Sequence, residues 1–269
     1  MSNHIKAKFL GFTYAPVPKE KFTSLLSQLE DSLRVKLPRY NATDVNDITV
    51  NIIDNNVDAQ QRSNGKELHM VDADGKYGVK VGNNGIAISV SGYVSYPELI
   101  AFSKWVIETV VKTINITHFS RLSLRNINLF QEQAEKSNVF SDIRNAKDWG
   151  RQELPTLNDG FACSGAATRH EYFSTDYCKH LQLISAVVMG KQSYIPQDEW
   201  SIWQLRGGIP TVENVELLVD IASTSFRAPM NIPEKQHNVT EYSWDSVESE
   251  LNSLHDIVNQ VYSDITKDD

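Results

Sequence analysis

Arg121-Leu-Ser-Leu-Arg125-Asn-Ile-Asn128-Leu-Phe130 decides how this chain folds, because it reads as a strand yet carries guanidinium and carboxamide groups where a strand packs. Leu122 and Leu124 share one face and Asn126 and Asn128 continue it, whereas Ile127 and Leu129 lie on the other. The inward side is therefore expected to switch near Arg125, with a β-bulge as the simplest repair. The stretch follows a helix expected over residues 98–114, where Leu99, Phe102, Trp105, Val106, Val110 and Ile114 recur at helical spacing. Ser95-Tyr-Pro97-Glu98 supplies that helix with a capping box and a first-turn proline.

Working outward, Ile5 to Tyr14 reads as a strand, and Phe22, Leu25, Leu26, Leu29 and Leu33 form the stripe of a helix that ends near Pro38. Short strand-like runs follow at 48–53, 67–71, 78–81 and 86–90, with Asp74-Gly75 and Asn84-Gly85 as hairpin turns. Residues 131–160 read as a polar connector with a short helix over 139–147. Beyond it, 161–173 and 177–189 read as two strands around a turn at 174–176, and 216–221 as a third, buried strand. Ser193 to Pro210 reads as a loop rich in Trp and Pro. Val247, Leu251, Leu254, Val258, Val261 and Ile265 mark a closing helix over 243–266. Hairpins without regular βαβ alternation predict an α+β fold: curved antiparallel sheets in two closely packed halves, 1–130 and 161–269, each covered by long amphipathic helices. Both halves run hairpins into a helix, which fits a duplication, although no residue-level repeat supports one.

The chain has 269 residues, 41% of them apolar, enough for a sizeable core. A net charge of −8 without a basic run argues against a general nucleic-acid binder. Two cysteines are too few for a disulfide framework, no signal peptide is read at Met1-Ser-Asn-His, and no apolar run approaches a membrane span; a cytoplasmic protein is the expectation. Three glycosylation sequons, at Asn41, Asn115 and Asn238, are attributed to chance.

Arg121, Arg125, Asn126 and Asn128 are the best candidate site, since guanidinium forks and carboxamides on a rigid strand can read a phosphate, a carboxylate or a partner's backbone. Asp220 interrupts the apolar run Leu217-Leu-Val-Asp-Ile221 and is expected to pair with Arg121 or Arg125 as a structural lock. On that reading Arg125→Ala unsettles the fold itself. Trp200, Trp203 and Trp244 mark either an interface or buried loop anchors. Cys163, His170, Cys178 and His180 raise a metal question, with His170 expected opposite His180, but no zinc spacing is present and ordinary buried residues are the better account. His255 reads as an edge residue of the closing helix. Cys163-Ser164-Gly165 is a weak imitation of a nucleophile turn, and Asp72-Ala-Asp74-Gly75 lacks the later ligands of a calcium loop. The glycines at 75, 78, 82 and 85 sit in hairpins and cannot aim a helix N-terminus at a phosphate. No cofactor or metal is expected.

Together, Tyr96 to Trp105, Arg121-Leu-Ser-Leu-Arg125-Asn-Ile-Asn128, Leu217-Leu-Val-Asp220-Ile, Leu251-Asn-Ser-Leu254-His255 and Ile265-Thr266 resemble a sporadically distributed bacterial protein family that carries an Arg-x-Gly-Leu-Arg-Tyr-Ile-Asn strand. The family's glycine is Ser123 here and its aromatic is Asn126, so the chain resembles a divergent member. That family has no established activity and no catalytic residues to carry over. The resemblance implies a bacterial, cytoplasmic protein of patchy occurrence, associated with mobile or defence islands. The expected function is a non-enzymatic binding protein, an antitoxin, immunity or anti-phage defence accessory component, engaging a protein partner or a second copy of itself. The alternative is a sensor or enzyme for an anionic small ligand held near Arg121 and Arg125.

Overall fold

The strands alternate apolar and polar residues only in part, because a second layer buries one end of the sheet's other face. In the computed structural model, which describes residues 4–53, 56–131, 166–188, 190–213, 216–226 and 240–265, the order is β1 (Ile5–Tyr14), α1 (Lys19–Arg34), β2 (Arg39–Ile53), β3 (Asn56–Val71), β4 (Tyr77–Val81), β5 (Gly85–Ser91), α2 (Tyr96–Ile114) and β6 (His118–Gln131). Then come β7 (Ala166–Phe173), β8 (Lys179–Val188), α3 (Trp200–Leu205), β9 (Glu216–Phe226), β10 (Thr240–Glu241) and α4 (Trp244–Ile265). The α+β class is as expected. The described strands form a single antiparallel sheet, β2-β3-β4-β5-β1-β6-β9-β8-β7, with β10 paired to β6 beyond the end of β9.

Helices α1, α2 and α4 cover one face. Phe22, Leu29 and Leu33 of α1, Leu99, Val106 and Val110 of α2, and Val247, Leu251, Leu254 and Val258 of α4 pack on Leu10, Phe12, Leu122, Leu124, Val219 and Ile221. Ser95 caps α2 by accepting from the Glu98 amide at 3.4 Å, and Asn115 ends it in the left-handed conformation at φ 61°. Among the described residues the opposite face is covered at one end only, by residues 193–213, whose Ile195 and Trp203 pack on Ala7, Phe9 and Ile127. That segment, expected as a loop, contains a 3-10 turn at Gln197–Glu199 and the short helix α3.

The two sequence halves run into each other through the β1–β6 and β6–β9 pairings, so the sheet does not divide between them. Their topologies nevertheless match: β3-β4-β5-β1 followed by α2, and β7-β8-β9-β6 followed by α4, meet at the antiparallel β1–β6 pair. The connector 131–160, its short helix and Cys163-Ser164-Gly165 lie outside the described residues, apart from Gln131 at the end of β6.

Two local expectations are corrected. No bulge interrupts β6 near Arg125; the register shifts fall at Ile5/Ala7 and at Thr13/Tyr14, while the β6–β9 ladder runs unbroken from Arg121 to Gln131. Asn126 and Asn128 stay on the helix side with Leu124, and Ile127 and Leu129 are buried because the 193–213 layer covers their side. Strand β2 also begins at Arg39, well before the apolar residues at 48–53. It is an edge strand of the described sheet.

Candidate functional site

Where residues 193–213 stop, the sheet's second face opens into a groove of about 410 Å³. Its floor is a row of small side chains in direct cross-strand register: Ala87 on β5, Gly11 on β1, Ser123 on β6 and Thr224 on β9. Three strand spacings make that row about 14 Å long. Gly11 keeps the middle of the row low, since a Cβ there would displace Ser123 Oγ.

Arg121 and Arg125 stand two residues either side of Ser123 on the same face, and both line the groove. Arg125 donates to Asp220 twice, Nε to Oδ1 at 2.8 Å and Nη2 to Oδ2 at 2.5 Å. This bidentate pair is the lock expected from the sequence, with Asp220 3% exposed and the Arg125 side chain 30% exposed toward the groove. Burial opposes the Arg125 charge, but the Asp220 hydrogen bonds and charge outweigh it and keep the guanidinium protonated. The pair leaves Nη1 uncommitted. Arg121 donates through Nε to Thr13 Oγ1 at 3.3 Å and has no ion pair among the described residues.

The far side of the groove carries Glu67 on β3, Lys80 on β4, and Asp198 and Glu199 from the 3-10 turn. Lys80 Nζ donates to the Asp198 carbonyl at 3.1 Å and lies 3.6 Å from Glu199 Oε1. Burial pushes the Glu199 carboxyl above the usual carboxylate range, with Lys80 partly offsetting it, and Oε2 is buried without a hydrogen-bond partner among the described residues. Glu67 moves the opposite way, held down by its 3.1 Å hydrogen bond with His69.

Asn126 and Asn128 do not belong to this site. They lie beneath the helices at 7% and 0% exposure; Asn128 Nδ2 donates to the Val219 carbonyl at 3.1 Å, and Asn126 stands opposite Lys8, whose Nζ donates to the Val94 carbonyl. Trp203 is a buried anchor of the 193–213 layer, stacked under the Arg206 guanidinium at 4.2 Å, and half-buried Trp200 donates to the Ile195 carbonyl at 3.0 Å. Arg206 ties the same layer to β5 through Ser89, and burial lowers its pKa to about 10. Trp244 opens α4 and donates to Glu248 at 2.6 Å. His255, on the edge of α4, stacks on Tyr96 with ring centroids 3.6 Å apart.

His170 pairs with Leu183, not His180, and His180 pairs with Phe173, onto which it stacks at 4.7 Å. The two histidines consequently sit on opposite sheet faces. Among the described residues no three His, Cys, Asp or Glu side chains gather as a metal would need. No helix of the described residues is long and apolar enough to cross a membrane.

Sequence reasoning missed Lys80, Glu199 and the small-residue floor. The signal for the floor was Gly11 within Phe9-Leu10-Gly11-Phe12, since a glycine inside an apolar strand marks a close approach. No protein-family model matches the chain, and no curated protein is similar enough to count as a relative.

Proposed function

We propose that this is a binding protein that holds a small anionic ligand in the groove, with Arg121 as its anchor and Arg125 as a second donor. One observation carries the reading: two guanidinium groups project over a floor of small side chains, and Arg121 has no carboxylate partner among the described residues. On this reading the groove draws its lining from both 1–130 and 161–269, and the protein works in the cytoplasm as a divergent relative of the bacterial family it resembles. Calorimetric titration with sulfate and with benzoate tests it. Arg121→Gln is expected to weaken both by at least about tenfold, the scale of one lost charged hydrogen bond, without changing the melting temperature. Unchanged affinity overturns the reading.

A protein partner, in the antitoxin, immunity or defence-accessory sense, is supported by a different feature. Tyr172, Phe173 and Tyr177 are each more than two-fifths exposed at the tip of the β7–β8 hairpin, a clustering that interfaces favour. Serine at all three positions is expected to dissolve a self-association measured by light scattering. An unchanged mass distribution counts against a second copy of the chain at that tip.

A further inference from the structure

Glu199 is the groove residue that the anion-binding reading leaves unexplained. Its carboxyl is buried, one oxygen lies 3.6 Å from the Lys80 ammonium, and the other, Oε2, is buried without a hydrogen-bond partner among the described residues. A buried acceptor left unmatched costs about 1–3 kcal/mol, and such groups concentrate where a ligand completes them. Among the described residues the charged and titratable groups around it are Lys80 on β4, Arg125 on β6, Arg206 just after α3 and Asp198 beside it on the 3-10 turn; Glu67 on β3 acts on the same Lys80. Arg125 itself is half spent on Asp220.

An anion drawn to Arg121 and Arg125 arrives next to this carboxyl. Ionised, Glu199 repels it; as the neutral acid, it offers an O–H donor. We infer that Glu199 is a recognition group that binds the ligand as the carboxylic acid, Oε2–H donating to an oxyanion held by Arg121 and Arg125, so that binding takes up one proton. The inference rests on the groove reading and deepens it. The ligand class is a small molecule bearing a carboxylate or a tetrahedral oxyanion, narrow enough for the trough over Gly11 and Ser123. The proton comes from solvent, no covalent bond changes, and it returns to solvent when the ligand leaves. Burial already biases the free carboxyl toward the neutral acid, which lowers the cost of the uptake.

Sulfate and benzoate are suitable probes because neither changes charge between about pH 6 and about pH 9, so any pH dependence there belongs to the protein. Titration of the wild-type protein in two buffers of different ionisation enthalpy reads the proton count directly and needs no variant. The expected result is proton uptake above the free-state pKa of Glu199, with affinity falling up to about tenfold per pH unit because the free carboxylate must take a proton from solvent to bind. Glu199→Gln supplies a neutral donor of the same shape and is expected to bind across the range with that slope abolished. Sulfate and benzoate separate the two oxyanion geometries by which of them shows the slope. Binding that depends on Arg121 but has no proton uptake, or the same slope in Glu199→Gln, overturns the Glu199 inference and leaves the groove reading standing. Binding indifferent to Arg121→Gln overturns both.

Discussion

Arg125→Ala leaves the Asp220 carboxylate, 3% exposed, without the guanidinium that takes both of its oxygens. Removing one partner of a buried pair costs about 3–5 kcal/mol, chiefly because the surviving charge stays desolvated. Here the Arg125 side chain is 30% exposed, so water enters the space it vacates and the low end applies, about 3 kcal/mol. For a chain of this size that lowers the melting temperature by about 6–12 °C. Urea denaturation followed by circular dichroism measures it. The companion variant Arg125→Met with Asp220→Leu removes both charges and fills the volume, and it is expected within about 1 kcal/mol of wild type. The reasoning is refuted if Arg125→Ala unfolds within about 0.5 kcal/mol of wild type, or if the double variant loses more than the single one.

Trp203→Ala empties the cluster of Ala7, Phe9, Ile127 and Ile195 and is expected to cost about 3–5 kcal/mol in urea denaturation, with Trp200→Ala costing visibly less because Trp200 is only half-buried. Asn115→Gly is expected to hold or raise stability by a few tenths of a kcal/mol, and Asn115→Val to lose about 1–2 kcal/mol, since the helix end needs a left-handed residue; equal melting of the two variants would contradict the cap. Burial, reinforced by Lys8, lowers the His255 pKa below its ordinary value. The unfolded chain therefore takes the proton first, and stability is lost as pH falls from about 6.5 down to the lower native value, then levels off. His255→Phe keeps a ring against Tyr96 and should flatten that part of a melting-temperature profile; an unchanged slope locates the titration elsewhere.

The helices were legible because each buries one stripe and leaves the other face wet: α2 and α4 fall within about two residues of their expected ends, and α1 stops at Arg34, short of the expected end near Pro38. Strands β4 and β5 were legible from their alternation, helped at the first turn by Gly75, which adopts φ 75°. The second covering layer was not. A short helix such as α3, held by Trp203 and by Arg206 on Ser89, has too few residues to show a period, and its anchors read equally well as interface aromatics. That hidden layer is also why Arg125 looked like a switch point: burial of Ile127 and Leu129 from the second side imitates an exchange of faces. The β7–β8 hairpin failed through its loop. Five residues, with Tyr177 at φ 56° and Asp176 accepting from the Cys178 amide, separate Phe173 from Lys179, and that register puts His170 and His180 on opposite faces. The Arg125–Asp220 lock was legible because a carboxylate inside an apolar strand needs a cation, and few were near.

The groove's position follows from the way the two matching topologies meet. Counting outward from the Gly11–Ser123 pair, one side gives Ala87, Lys80 and His69, and the other gives Thr224, His180 and Phe173. Gly11 and the small side chains beside it keep the middle of that row low, which leaves the seam hollow. What differs is the flanking charge. If β1 and β6 are exchanged about that pair, Phe9 and Thr13 fall where β6 has Arg121 and Arg125, so one strand supplies a wall and a hydroxyl and the other supplies both cations. A hollow made by small side chains needs no ligand to explain it. Two arginines on one strand are not required by that packing, and Arg121, which has no ion pair among the described residues, is the reason to look there for an anion.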